Sequence, residues 1–356
     1  ALIGSQSAQS NRNIVINGAM QVAQRSTSVA DLGASHNSYD TVDRFKLLTG
    51  SDATAGRFTM SQSSVTDLAG LSNAIKLQCT TADTSIAAGE ACVLSTVFEG
   101  QDLQKLLNTS TSTKAFTVSF YAKANESRAV ALEVRTSHGT NRQIAKLFTI
   151  TSSWQRFEFN VPAAASGMQF GNDTSNDLQL NWWQHAGSTY AGGTLSTDWE
   201  GATNANRAAG VGSLFASTSN FFEITGIQLE VGEQATPFEH RSFADELARC
   251  QRYYQKHGNE TSTYRYLAPA FCNSTSQAQG VLTLPVTMRA APTTSVSGNF
   301  EMIHGSTNAS ITLNTKELNQ SSVGLEPAGS SFTANSGAII RGSNDATAQL
   351  KLDAEL

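Results

Sequence analysis

Apolar and polar residues alternate with a period of two along much of the chain, and the alternation is broken repeatedly by Gly, Ser, Asn and Thr. AFTVSFYAKA, AVALEVRT, WQRFEFNVP and FFEITGIQLEV show either that alternation or a dense β-branched and aromatic content, both of which suit half-buried strands. Between Asp40 and Glu239 only DLQKLLN, starting at Asp102, reads as a short helical excursion. Many short strands, each with one wet face, are most economically satisfied by a β-sandwich. The expected main body is a jelly roll over residues 39–240.

The flanks carry different patterns. Ile14 and Ile16 fall at a spacing of two, Asn17-Gly18 is a tight-turn signal, and Met20 and Val22 resume that spacing. This predicts a hairpin or extended arm within residues 1–38, whose apolar face needs either the following domain or a neighbouring subunit. After Pro237 the period changes. Ser242 and Asp245 have capping-box spacing, and Phe243, Leu247, Cys250 and Tyr254 recur at helical offsets, so a junction segment 241–258 should hold a helix from Phe243 to Gln255. Its single apolar stripe must pack on a domain or on its own copies around an oligomer axis. Strand signals return in RYLAPAFC, GVLTLPVTM, ASITLNT, GAIIRG and AQLKLDAEL, which predict a second, smaller β domain over residues 259–356. Pro285 marks an edge or bulge there, and the closing Leu-Lys-Leu alternation predicts a packed terminal strand.

Length and composition narrow the function classes. The 356 residues can fill two or more hydrophobic cores. With 24 Lys and Arg scattered through a chain of formal charge -5, there is no basic field for nucleic acid. No apolar run is long enough to insert in a bilayer, and the start ALIGSQSAQS lacks the basic flank and apolar core of a secretion signal. Cys79, Cys92, Cys250 and Cys272 are too few and too dispersed for a disulfide scaffold or zinc ribbon, and read as buried thiols; a Cys79–Cys92 bridge stays open as the alternative.

Three stretches carry a resemblance. Asn11, Ile14, Val15, Ile16, Asn17, Gly18, Met20, Val22, Gln24 and Arg25 form an NxxINGxMxVxQR arrangement, followed by Asp43-Arg44-Phe45. Gly226–Glu230, Pro237–Glu239 and Leu247–Tyr254 form a second, and LPVTMRAAPT with KLDAEL a third. Together they resemble the tail-fibre and receptor-binding proteins of tailed bacteriophages. The resemblance implies a carbohydrate-binding-like β-sandwich facing the host, a homotrimer, and contacts with other tail or capsid proteins of the virion.

The richest binding candidate is Asn181–Trp199. Trp182, Trp183, Tyr190 and Trp199 supply rings that stack on sugar C–H faces, and His185 and Asp198 supply polar groups that fix hydroxyls. In a strand Trp182 and Trp183 point to opposite faces, so at least one reads equally as core. Asp40, Asp43, Glu223 and Glu230 offer hard oxygens for a Ca2+ ion, although the chain has no EF-hand spacing and no cofactor is required. Ile14, Ile16 and Met20 of the arm, with Arg249, Arg252, Tyr253 and Tyr254 of the helix, are the candidate oligomer interface. The six histidines show no metal-ligand spacing, and no nucleophile elbow, phosphate loop or dinucleotide fingerprint is present. With the aromatic stretch and no catalytic motif beside it, the resemblance implies a non-enzymatic adhesin for a bacterial surface glycan on a virion appendage. Two alternatives remain: a polysaccharide depolymerase built on distant carboxylates, and a purely structural tail or capsid component.

Overall fold

A computed structural model of the chain describes residues 11–258, 262–305 and 307–356. The start ALIGSQSAQS and residues 259–261, at the expected opening of the second β domain, lie outside the described residues. The chain divides into two compact units, one running up to Glu246 and including Leu356, and one running over Leu247–Glu355.

The first unit is mainly β, a β-sandwich of the jelly-roll class. Its strands in chain order are β1 (Ser28–Leu32), β2 (Asn37–Ser38), β3 (Lys46–Thr49), β4 (Arg57–Ser64), β5 (Asn73–Thr81), β6 (Ala91–Glu99), β7 (Leu107–Thr109), β8 (Ser112–Thr113), β9 (Phe116–Ala124), β10 (Arg128–Thr136), β11 (Arg142–Ile150), β12 (Gln155–Val161), β13 (Asn176–Ala186), β14 (Glu200–Gly201) and β15 (Phe221–Val231). One sheet runs β1-β4-β5-β15-β9-β12, the other β14-β11-β10-β13-β6-β3-β2, and β7 and β8 form a small ribbon. The helical excursion is a 3-10 turn at Gly100–Leu106.

Alternation decides which face is core. Phe116, Val118, Phe120 and Ala122 of β9 are fully buried, as are Val130, Leu132 and Val134 of β10 and Leu178, Leu180 and Trp182 of β13. The Phe120 ring meets Phe148 and Trp182 edge-on at 5.4 and 5.8 Å and stacks on Phe157 at 5.5 Å, so one aromatic cluster bridges the two sheets. Cys79 and Cys92 are free, buried thiols, and burial pushes the Cys92 pKa up to about 12.

The N-terminal segment corrects two expectations. Residues 11–27 form no strand, so of the hairpin and the extended arm expected here the hairpin form is absent, although the Asn17-Gly18 turn forms and the Met20 N–H donates to the Asn17 carbonyl at 2.9 Å. Its backbone bonds go instead to a bulge in β15 between Thr225 and Gln228. The Ile14 N–H donates to the Leu229 carbonyl and the Ile227 N–H to the Gly18 carbonyl, both at 2.9 Å. Asn13 completes the dock: its Oδ1 accepts from the N–H groups of Val15 and Leu229, and its Nδ2 donates to the Ile227 carbonyl. A Cβ on Gly18 would stand 2.1 Å from the Ile227 oxygen, so only glycine permits this approach. Ile14 and Met20 are buried in the sandwich core, and their assignment to an oligomer interface is corrected accordingly; Ile16 is half-buried. Arg241 donates to the Asn13 and Val15 carbonyls and to Glu246, while Glu239 and Glu246 accept the N–H groups of Asn13 and Asn17. The first two motif stretches thus meet in one buried latch.

Ser242 caps the helix, its Oγ accepting the Asp245 N–H at 3.1 Å. The helix runs Phe243–Gln251, shorter than expected, because a turn at Cys250–Tyr253 leads directly into the strand Tyr254–Gly258. In the second unit, a closed six-stranded barrel runs in the order Tyr266–Cys272, Ala278–Thr283, Ser322–Gly329, Thr307–Lys316, Phe300–His304 and Ser336–Gly342. Phe300, Leu313, Val323, Leu325 and Ile340 contribute to its core. A separate sheet pairs Gln349–Asp353 with Tyr254–Gly258 and Thr293–Ser297, and buries Leu350 and Leu352.

Candidate functional site

The face of the seven-stranded sheet turned away from the core carries the opposite parity of the same strands. Three cross-strand rows cross β11, β10, β13 and β6: Gln143, Arg135, Gln179 and Val97; Ala145, Glu133, Asn181 and Ser95; and Leu147, Ala131, Trp183 and Val93. In β3, Lys46 and Leu48 extend the second and third rows.

The connection from β13 to β15 folds back over this face. Tyr190, in the short helix Ser188–Ala191, and Ala208 pack on Trp183, Val93 and Ala131 in a second apolar cluster. Gln143 fastens the far end of the connection, its Nε2 donating to Ser196, Glu200 and Thr203 and its Oε1 accepting the Thr203 N–H. Arg207 fastens the middle. Its Nε and Nη2 donate to the two oxygens of Glu133 at 2.8 and 3.0 Å, and its guanidinium lies 4.8 Å over the Trp183 ring. Glu133 also accepts the Trp183 indole N–H and the Asn181 amide, both at 3.0 Å, and Asn181 Oδ1 accepts from Ser95 Oγ at 2.7 Å. A fully buried carboxylate is therefore compensated by a bidentate arginine and two neutral donors, as burial of a charge demands.

What the connection leaves uncovered is a cleft of about 310 Å3, at the small end for a ligand site. Trp183, Tyr190 and Asn181 line it with Arg135, Gln179, Arg207, Lys46 and the Leu48–Gly50 stretch. Tyr190, half-buried and 5.2 Å from Trp183, is the aromatic ring most open to an occupant. Gln179 and Arg135 stand directly opposite each other in the sheet, both half-buried, and neither side chain hydrogen-bonds to the described protein. They offer an amide and a guanidinium to whatever enters.

The sequence placed six residues in this site, and the structure brings two of them, Trp183 and Tyr190, together. Trp182 is corrected: β13 turns its ring into the inter-sheet core, fully buried against Phe120. His185 is also corrected, since a bulge after Trp183 turns it inward, with Nε2 2.8 Å from Glu90 and Nδ1 2.7 Å from Ser213 Oγ. Its ring meets Phe215 edge-on, and Ser213 Oγ accepts the Phe215 N–H, so this row ties the end of β13 to the β6 and β15 approaches. Trp199 lies outside the cleft, packed beside Phe116 with its indole N–H donating to the Pro162 carbonyl; Asp198 is exposed beside it. Arg135, Gln179, Glu133, Lys46 and Arg207 were missed. The alternation in AVALEVRT and NDLQLNWW places Glu133, Arg135 and Gln179 on the outer face once Leu132 and Leu180 are taken as core; nothing periodic announces Arg207.

The four carboxylates expected to hold calcium do not come together. Asp40 pairs with His36 at 2.6 Å, Asp43 accepts from Gln24, Glu223 pairs with Lys123 at 3.3 Å, and Glu230 accepts from Gln228 and Thr236. These carboxylates serve separate local bonds, and no three His, Cys, Asp or Glu side chains converge on a metal position among the described residues. Of the remaining interface candidates, Tyr253 and Tyr254 are covered by the chain itself and corrected for that reason, while Arg249 and Arg252 are half-buried with partners within the chain. Among the described residues no helix is long and apolar enough to cross a membrane.

Burial holds the His185 pKa below the ordinary value of about 6.5, against the pull of Glu90. Unfolding releases the ring to take up a proton. The stability of the first unit is therefore full above about pH 6.5 and falls as pH drops from there towards the depressed folded value. Denaturant midpoints between pH 8 and pH 5 should show this slope, and His185→Gln should flatten it.

No family model matches the chain, and no curated protein sequence matches it. Several solved structures are similar to part of it. A putative sugar binding protein from Bacteroides thetaiotaomicron is 10% identical, covering 62% of this chain and all of that one with a TM-score of 0.32. The family 11 carbohydrate-binding module of a Clostridium thermocellum cellulosomal cellulase is 11% identical, covering 59% and 100% with a TM-score of 0.29. The family 30 module of another cellulase from that organism is 10% identical, covering 60% and 98% with a TM-score of 0.28.

Proposed function

We propose that the chain is a non-enzymatic adhesin whose sandwich binds a bacterial surface glycan in the cleft over Trp183. The observation that carries this reading is the cleft's construction. Rigid strands supply its floor, Tyr190 supplies a ring face, and Arg135 and Gln179 supply hydrogen-bonding groups that the described protein leaves unused. Ring stacking with a few fixed polar contacts is how a sugar is held without chemical change. Binding at one such cleft is modest, and linked copies raise the avidity. Assembly as a homotrimer on a virion tail fibre, with other tail or capsid proteins as neighbours, rests on the resemblance of the motif stretches alone.

The test is binding of the purified chain to an array of bacterial surface polysaccharides, with the same mixtures checked for released oligosaccharides. The expected result is saturable binding without release, weakened about 10-fold or more by Tyr190→Ala, the range for losing one aromatic platform. Product release would make the protein a depolymerase. Absence of both binding and release across the array would favour the purely structural component.

A further inference from the structure

The chain as a whole is acidic, at -5, yet the cleft has the opposite sign. Lys46, Arg135 and Arg207 line it and no Asp or Glu does. Glu133, the carboxylate that acts on Arg135, lies buried and is already matched by Arg207. Lys46 Nζ donates to the Leu356 oxygen at 3.3 Å, whereas Arg135 has no hydrogen bond or ion pair among the described residues. Arg135 is the more telling of the two. It is half-buried, has no hydrogen-bond acceptor in the described protein, and sits near a second guanidinium; desolvation and then the Arg207 charge press its pKa down. A cation held in that position is relieved by an incoming anion, and a planar guanidinium matches the two oxygens of a carboxylate or phosphate.

We infer that the cleft selects an acidic saccharide, whose carboxylate or phosphate bonds Arg135 while Gln179 and Tyr190 hold the adjoining sugar. This rests on the glycan-binding reading above and names the class of glycan. Gln179 is directly across the ladder from Arg135, so one sugar residue can meet the amide and the guanidinium together. Arg207 also lines the cleft, and its Nη1 makes no hydrogen bond to the described residues, so it adds a second positive contact.

The test uses the full chain on paired polysaccharides from bacterial capsules and lipopolysaccharides. Each acidic preparation is arrayed beside its carboxyl-reduced form and its form dephosphorylated with hydrofluoric acid, together with neutral polysaccharides. The expected result is binding to acidic members that falls with rising ionic strength and is lost on one of the two treatments. Which treatment abolishes it identifies the oxyanion. Arg135→Ala should weaken binding about 10-fold or more, the effect of deleting a charge-assisted hydrogen bond, and Arg135→Lys should restore part of it. Arg135 anchors no hydrogen bond or ion pair in the described protein, so both variants should fold, as an unchanged denaturation midpoint will show. Binding to neutral polysaccharides that is indifferent to both treatments and to Arg135→Ala overturns the inference while leaving the glycan-binding reading standing. Binding to none of the preparations overturns both.

Discussion

Replacing Arg207 by alanine is expected to destabilise the first unit by about 3–5 kcal/mol. The reason lies with the partner left behind. Glu133 is fully buried in β10, and without the bidentate guanidinium it keeps only the donors of Trp183 and Asn181 against the cost of its charge. Glu133→Gln in the same background should recover much of the loss, because an amide needs no counter-charge. Chemical denaturation of the two single variants and the double variant measures the coupling directly. A loss below about 1 kcal/mol for Arg207→Ala, the level of an exposed pair, would mean that the connection over the sheet is not fastened as described.

Trp182→Ala is expected to cost a similar amount, about 3–5 kcal/mol, through the cavity it opens between the sheets. Its ring is fully buried against Phe120, and its indole N–H has no hydrogen-bond partner, so packing alone is lost. Trp182→Phe, which keeps an aromatic ring in the cavity and removes the unpartnered N–H, should cost less than half as much. The folded fraction of either variant should bind glycan as the parent chain does. The neighbouring Tyr190→Ala should weaken binding while lowering the denaturation midpoint less than Trp182→Ala does, because Tyr190 is only half-buried on Trp183. Binding loss in folded Trp182→Phe would show that the core ring and the cleft are coupled through β13.

The contrast between adjacent tryptophans shows how far period-two patterning carries. AVALEVRT, FFEITGIQLEV and WQRFEFNVP all became strands, at Arg128–Thr136, Phe221–Val231 and Gln155–Val161. The pattern also says that Trp182 and Trp183 face opposite ways. Only the parity of Leu178 and Leu180 decides that Trp182 is the inner ring, and the bulge that follows cancels parity for His185. The hairpin expected at Asn17-Gly18 failed for a related reason. Its turn is real, but the backbone partners come from β15, more than 200 residues away, and local alternation carries no record of a partner that distant. The same holds for barrel closure, where Tyr266–Cys272 pairs with Ser336–Gly342. Arg207 was invisible because an irregular connection brings it to Glu133, and the helix overran because Tyr254 suits a strand as well as a helical stripe.

The motif stretches that carry the resemblance also acquire a physical meaning. Asn13, Asn17 and Gly18 on one side, and Ile227, Leu229, Glu239, Arg241 and Glu246 on the other, form the latch that docks the N-terminal segment on the β15 bulge. Their distinctive chemistry serves folding, whereas the cleft is made of residues with no motif.

The most direct test of the account is amide hydrogen exchange of the full chain with and without the polysaccharide it binds most tightly on the array. Protection is expected in the backbone lining the cleft, at Lys46–Gly50, around Arg135, from Gln179 to Tyr190 and at Arg207. Protection confined to Leu247–Glu355, or to the opposite sheet β1-β4-β5-β15-β9-β12, would contradict it.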